Sequence, residues 1–194
     1  PVAPARCAAH HARMLTLFDY RPSQNAWKVR QLLKHLGRPH ATVEVSIFEG
    51  KGQTPEYRAI NPTGAVPGLQ LDDGRVMSES LAILCYLPEG TPYLPTHPYE
   101  RAKVLQWLSF ENDYLQNSIG SLRHWKLTGK KRPHELVESK VHIGMRCLVI
   151  LEEALEKSPF LVGGRYTIAD MACFAYTHLA DDAGLALRDY PHVL

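Results

Sequence analysis

Apolar and polar positions alternate over residues 15–20 (LTLFDY), which predicts a first strand. Arg21-Pro22-Ser23-Gln24-Asn25 reads as a loop, and the period then changes. Over residues 26–36, Val29, Leu32, Leu33 and Leu36 fall at i, i+3, i+4 and i+7, one face of a helix that Gly37 stops. Residues 41–47 (ATVEVSI) return to a strand pattern. Strand, helix and strand on short links predict parallel neighbours with a right-handed crossover. A stretch broken by Gly50, Gly52 and Pro55 follows, as loop and short irregular helix. Residues 68–71 and 75–77 flank Asp72-Asp73-Gly74, the signal for a tight hairpin. Ser78-Glu79-Ser80 stands where the next helix should begin, ahead of Leu81, Ala82, Ile83, Leu84 and Tyr86.

The pattern changes after a Pro-rich stretch at residues 88–95. From 99 to about 128, Val104, Leu108, Leu115, Ile119 and Leu122 recur at helical spacing, and residues 130–133 break the run. A second long helix is predicted over residues 134–157, with Val137, Val141, Leu148, Leu151 and Leu155 in one stripe and Gly144 in the same row. Such stripes are the buried faces of a helical bundle. Thr167-Ile168-Ala169-Asp170 is a capping box, with Tyr166 and Met171 placed for a hydrophobic staple. The expected fold class is therefore an α/β N-terminal part, a mixed four-stranded sheet in the order βαβ-ββα, followed by an all-α part. The expected boundaries are an N-terminal extension at 1–13, an α/β domain at 14–88, a linker at 89–97 and a helical domain at 98–194.

Composition narrows the partners. The chain has 194 residues, 45% hydrophobic and 22% charged, enough for one substantial core or two small ones and unlike a disordered or fibrous chain. A net charge of +2, with Lys and Arg spread along the chain, gives no reason to expect nucleic acid or an anionic membrane. No apolar run reaches the roughly 20 residues that span a bilayer. Cys7, Cys85, Cys147 and Cys173 are widely spaced, and three lie in apolar helical contexts, which favours free thiols in a reducing, cytoplasmic compartment over disulfides. No zinc-ligand spacing is present, so no metal is expected. Residues 1–13 (PVAPARCAAHHAR) lack periodicity and a signal-peptide core, and read as an extension before a natural start at Met14.

Candidate chemistry concentrates in residues 61–80 (NPTGAVPGLQLDDGRVMSES). A strand entered through Val66-Pro67 offers main-chain hydrogen bonds to a peptide. The helix start that follows offers free N–H groups to a carboxylate.

On four markers in order, the chain resembles the cytosolic glutathione transferases, particularly the bacterial branches. The markers are Ser23-Gln24-Asn25-Ala26-Trp27-Lys28-Val29-Arg30, Asn61-Pro62-Thr63-Gly64-Ala65-Val66-Pro67, Ser78-Glu79-Ser80-Leu81-Ala82-Ile83 and Thr167-Ile168-Ala169-Asp170. The resemblance runs from Met14 almost to the end. It implies a thioredoxin-like N-terminal domain, an all-helical C-terminal domain and a homodimer. It also implies that Pro67 is cis, that Val66 pairs through its main chain with the cysteinyl part of glutathione, and that Glu79 and Ser80 hold the γ-glutamyl end. Lys51 and Gln53 are alternatives for the glycine carboxylate.

The thiolate is the nucleophile. Lowering the thiol pKa from about 8.5 by roughly two units takes about 2.7 kcal/mol. A hydroxyl or amide donor where a loop enters a helix, aided by the helix dipole, can supply that. Ser23 matches the family's hydroxyl position, with Asn25 supporting or substituting; Tyr20 competes, because some branches use tyrosine. Both Ser23 and Asn25 also suit plain helix capping. Ala26 stands where many bacterial members carry cysteine or serine, which disfavours cysteine-based glutathione chemistry. By the same resemblance, residues 190–194 stop where relatives continue into further helix, so a cut or disordered end is expected.

Trp107, Phe110, Tyr114 and Trp125 lie on or just after the first long helix, where core packing is the simpler role. The family's electrophile site lies along that helix, which makes Tyr114 and Trp125 pocket candidates, with Tyr20 a third. His124 and His178 read as packing or surface residues, and residues 126–132 as a solvated basic loop. The leading expectation is a transferase joining glutathione sulfur to a small hydrophobic electrophile in an apolar pocket. The alternatives are a glutathione-dependent disulfide reductase and a non-catalytic binding or interaction protein of the same fold.

Overall fold

The computed structural model describes residues 14–194; residues 1–13, with Cys7 and the expected N-terminal extension, lie outside the described residues. The first half runs β1 (Leu15–Asp19), α1 (Gln24–His35), β2 (His40–Glu44), α2 (Pro55–Arg58), β3 (Gly68–Gln70), β4 (Val76–Ser78) and α3 (Ser80–Tyr86). β1 pairs in parallel with β2, Leu15 opposite His40, as the short crossover through α1 requires. On its other side β1 runs antiparallel to β3, with Phe18 opposite Gly68, and β3 pairs antiparallel with β4. The sheet order is β2-β1-β3-β4, the mixed four-stranded sheet expected from the sequence.

The pleat sends alternate side chains of β1 to opposite faces. Leu15 and Leu17 join Val29, Leu32 and Leu33 of α1 and Ile83 and Leu84 of α3 in the main core. Phe18 faces the other way, into a small second core with Val45, Tyr57 and Val66. The main core continues without a break into the helical half through Leu94, Val104 and Leu108.

That half comprises α4 (Pro98–Phe110), a π-wound stretch (Glu111–Gly120), α5 (Ser121–Thr128), α6 (His134–Leu155) and α7 (Ile168–Thr177). α7 lies against α1, α4 and the π stretch. The predicted capping box is present. Thr167 Oγ1 accepts the Ala169 N–H at 3.2 Å, and Asp170 Oδ2 accepts the Thr167 N–H at 2.8 Å. Asp170 Oδ1 also accepts the Leu161 N–H at 2.8 Å, tying the preceding loop to α7. None of the helices among the described residues is long and apolar enough to cross a membrane.

Three details differ from the sequence expectations. α1 begins two residues earlier, because Ser23 caps it. The strand expected over 41–47 ends at Glu44, and single 3₁₀ turns at Ile47–Glu49 and Lys51–Gln53 follow, hinged on Gly50 at φ +81°. The long helix expected over 99–128 is continuous but winds as π through its middle. Glu111 opens that stretch on its buried side. Gly120 closes it, where a Cβ would come within 2.7 Å of the Tyr176 ring. Both are contacts between elements, which apolar spacing along one helix does not encode.

Cys85, Cys147 and Cys173 are free thiols, and the last two are buried. Burial raises the Cys147 pKa to about 11, far from a reactive thiolate.

Candidate active site

The loop from β1 into α1 sets the site's first wall. Ser23 is the N-cap of α1, and its Oγ accepts the Ala26 N–H at 3.3 Å. A hydroxyl that accepts one bond keeps its own hydrogen to donate. The capping role and a ligand-facing role therefore hold together.

Two residues on, Asn25 is fixed by an arrangement spanning both halves of the molecule. Its Oδ1 receives Lys28 Nζ at 2.8 Å, the Tyr176 hydroxyl at 3.0 Å and the Ser80 hydroxyl at 3.4 Å. An ammonium only donates, so the atom facing Lys28 must be the oxygen, and the two amide hydrogens face away from it. Lys28 has no solvent-exposed surface, and neither has Glu111, whose carboxylate it meets at 2.8 Å. The Lys28 ammonium also sits 5.2 Å from the centre of the Tyr176 ring. Burial pushes the Lys28 pKa below its ordinary value and the Glu111 pKa above its own, and their mutual attraction opposes both shifts. Burial likewise holds the Tyr176 hydroxyl protonated, well above its usual range. One lysine thus joins α1, the start of α3, the π stretch and α7.

The second wall is the segment before β3. The Val66–Pro67 peptide is cis. The Ala65 carbonyl accepts the Tyr57 hydroxyl at 2.6 Å and Asn61 Nδ2 at 2.7 Å. Asn61 Oδ1 accepts both the main-chain N–H of Thr63, at 3.1 Å, and its hydroxyl, at 2.9 Å. Burial raises the Tyr57 pKa to about 12, so the hydroxyl stays a donor. These bonds fix the main chain just before Val66. Beyond the Phe18–Gly68 register, Val66 packs with Phe18 and Tyr20 at the end of β1. Gly52 and Gly64 touch main chain to main chain: a Cβ on Gly52 would lie 2.0 Å from the Gly64 oxygen. That contact holds the turn bearing Lys51 and Gln53 against the loop that leads to Val66, with both side chains exposed.

Glu79 precedes α3 at φ +68°, a conformation L-residues avoid, at a cost of about 1–3 kcal/mol. Its side chain is exposed, while Ser80 is 7% exposed with its hydroxyl turned inward to Asn25.

Between the Ser23 loop and the helical half lies a cleft of about 290 Å³, which Lys51, Gln53, Val66, Pro67, Glu79 and Ser80 do not line. Ser23, Asn25 and Trp125 line it, together with Tyr176 and Arg123. Tyr20 stands one layer back, its ring edge-on to Phe48 at 5.1 Å, and Phe48 lines the cleft. Tyr114 does not belong to it. It borders a separate hollow with Phe110, Ile143 and Ile150, because the turn of the helix at 114 faces α6 rather than α1. His124, expected to be packing or surface, lines the cleft against Phe48 at 5.2 Å. The walls are also less apolar than expected, with Gln24, Gln116, Asn117 and Ser121 among them.

Lys28, Glu111, Arg123 and Tyr176 were not anticipated as site residues. Lys28 and Glu111 did leave a signal: each is a charge on the apolar stripe of its own helix, and the two charges are opposite.

Family models for the glutathione S-transferase N-terminal and C-terminal domains match residues 22–89 and 143–194. Among curated relatives, the disulfide-bond oxidoreductase YfcG of Escherichia coli is 29% identical, covering 93% of this chain and 86% of that protein. Glutathione S-transferase 1 of Schizosaccharomyces pombe is 31% identical, over 86% of this chain and 76% of that protein. Among solved structures, a glutathione S-transferase from Pseudomonas fluorescens superposes with a TM-score of 0.87 at 37% identity, covering 93% of this chain and 90% of that one.

Proposed function

The chain belongs to the glutathione S-transferase family, and from this we propose that it binds glutathione between Val66 and the start of α1, ionises its thiol, and transfers the sulfur to an electrophilic centre in the adjoining cleft. The observation that carries the reading is the pair of donors at the mouth of α1. The Ser23 hydroxyl keeps its hydrogen, and the Asn25 amide is turned by three donors on its oxygen. Either can stabilise a thiolate; Ser23 is the primary donor and Asn25 the second. Val66 offers its main chain to the cysteinyl unit, Pro67 holding it in place. Glu79 and Ser80 take the γ-glutamyl end, and Lys51 or Gln53 the glycine carboxylate.

The reaction then needs little more than placement. The thiol proton leaves to solvent, the thiolate attacks the acceptor carbon, the new C–S bond forms and the leaving group departs. Residues 14–88 serve as the glutathione-binding domain, 89–97 as linker and 98–194 as acceptor-side domain, in a cytoplasmic enzyme.

Calorimetry of glutathione binding, beside turnover of an aromatic halide, tests this in wild type, Ser23→Ala and Asn25→Ala. A hydrogen bond to a charged group is worth about 1.5–3 kcal/mol. Each variant should therefore lose roughly 10–150-fold in kcat, with glutathione affinity held within about threefold. Full turnover in both variants, or no binding by wild type, overturns the assignment.

A glutathione-dependent disulfide reductase is the second reading, favoured by the likeness to YfcG. Ala26 offers no sulfur at the start of α1, so glutathione would supply both electrons, two molecules ending as glutathione disulfide. Turnover of a mixed glutathione disulfide in the same assays separates the two chemistries.

A homodimer is the proposed assembly. Tyr114 and Ile150 are 52% and 40% exposed on neighbouring helices around the hollow that both border. Light scattering should read twice the chain mass, falling to a single chain in Ile150→Glu. A single-chain mass for wild type at micromolar concentration rejects it.

A further inference from the structure

We propose that the acceptor side of this cleft is built for an anionic second substrate, an electrophile carrying a carboxylate that Arg123 receives. This rests on the glutathione reading and adds the class of the other substrate.

Arg123, on α5, is nearly buried, with 16% of its side chain exposed. One of its five N–H donors reaches the Pro22 carbonyl at 3.1 Å, which sets the guanidinium beside the Ser23 loop. Its Nε is buried and makes no hydrogen bond. Its charge forms an ion pair with Asp182 at 3.6 Å, too long for a hydrogen bond, and that carboxylate is 60% exposed. A guanidinium presents a planar fork that matches a carboxylate. Left underused on a concave wall, it is a receptor for one.

The rest of the wall agrees. Among the described residues no Asp or Glu lines the cleft, while Gln24, Gln116, Asn117 and Ser121 do. Arg132 lies over the Trp125 ring at 5.4 Å, a second cation behind a cleft wall. Burial, with Lys130 and Arg132 adding to it, holds the His124 pKa below its ordinary value, so near neutral pH its ring is an uncharged hydrogen-bonding surface. A purely apolar acceptor would leave the Arg123 Nε–H unmatched, a cost that a carboxylate removes.

The test compares a halonitrobenzoate with its methyl ester as acceptors at saturating glutathione. The displacement is the same in both, thiolate sulfur replacing halide and the thiol proton going to solvent, and each kcat/KM is divided by that acceptor's uncatalysed rate constant with glutathione, because the ester activates the ring more than the carboxylate does. Wild type should favour the carboxylate in kcat/KM by roughly tenfold or more. In Arg123→Met the ratio should fall towards one, and Arg123→Lys should keep part of it. Calorimetry on wild type with the two glutathione conjugates, free acid and ester, gives a second reading that depends on no variant. There too the acid should bind roughly tenfold tighter or more. Equal rates and equal conjugate affinities in a wild type that binds glutathione overturn the inference and leave the proposed function standing. A wild type that does not bind glutathione brings down the proposed function itself.

Discussion

Lys28→Met should destabilise the fold by about 3–5 kcal/mol, the cost of leaving one member of a buried ion pair without the other. For a chain of this length that is a melting-temperature loss of roughly 6–20 °C. The variant strands Glu111, which has no exposed surface and answers by holding its proton. Glu111→Gln should be comparably harmful from the other side, since the Lys28 ammonium would keep only neutral partners in Asn25 and Ser80. The double variant Lys28→Met/Glu111→Met removes both charges, and desolvated pairs replaced by apolar groups are often neutral in stability. It should recover most of the loss, giving a coupling well above 1 kcal/mol in the double-mutant cycle.

Activity should not recover with it. Without Lys28 the Asn25 oxygen loses its closest donor, leaving Tyr176 and Ser80 to hold the amide. Thiolate stabilisation should then weaken, read as a raised pKa of bound glutathione in the stable double variant. Single variants within 1 kcal/mol of wild type, or a double variant with the wild-type thiol pKa, would show the pair to be packing alone.

The sequence made the fold legible because each element carries its own period. The crossover through α1, the hairpin at Asp72-Asp73-Gly74 and the capping box at Thr167 are all local patterns, and all are present. The candidate site was legible where the relevant chemistry is also local. Ser23 caps its own helix, and Val66 precedes its own strand. The rest depends on which elements meet. Nothing local marks Arg123 until Pro22, 101 residues away, is found against it. Tyr114 and Trp125 share one helix, yet its winding turns them into different hollows. The charges at 28 and 111 could be seen as misplaced on their stripes, but not as each other's partner.

Gly52→Ala is the sharpest test of how the glutathione site is held together. The added methyl would sit 2.0 Å from the Gly64 oxygen and 3.2 Å from Ile47 Cγ2. The first of these is backbone and cannot swing aside, so the two loops must part by about 1 Å to reach even a tight contact. Gly64 has no better retreat. At φ +71° it is packed against Gln53 Nε2 and the Gly52 oxygen, each within 2.5 Å of where its own Cβ would be. The displacement therefore separates Lys51 and Gln53 from Val66, the groups proposed for the two C-terminal units of glutathione. Overpacking of this kind costs about 1–3 kcal/mol of stability. Misplacement of about 1 Å can cost roughly 100-fold in turnover. Gly90→Ala is the control for a methyl added without a clash: no atom lies within 4 Å of it, and its positive φ (+77°) brings a backbone strain that Gly52 does not have. It should show the backbone strain without the loss of glutathione affinity. The decisive comparison is with Lys51→Ala/Gln53→Ala, which deletes both side chains and leaves the main chains in contact. If Gly52→Ala binds glutathione no worse than that variant, the glycine contact only closes a loop. If it binds more weakly, the position of the Val66 main chain is itself set by the meeting of these two glycines.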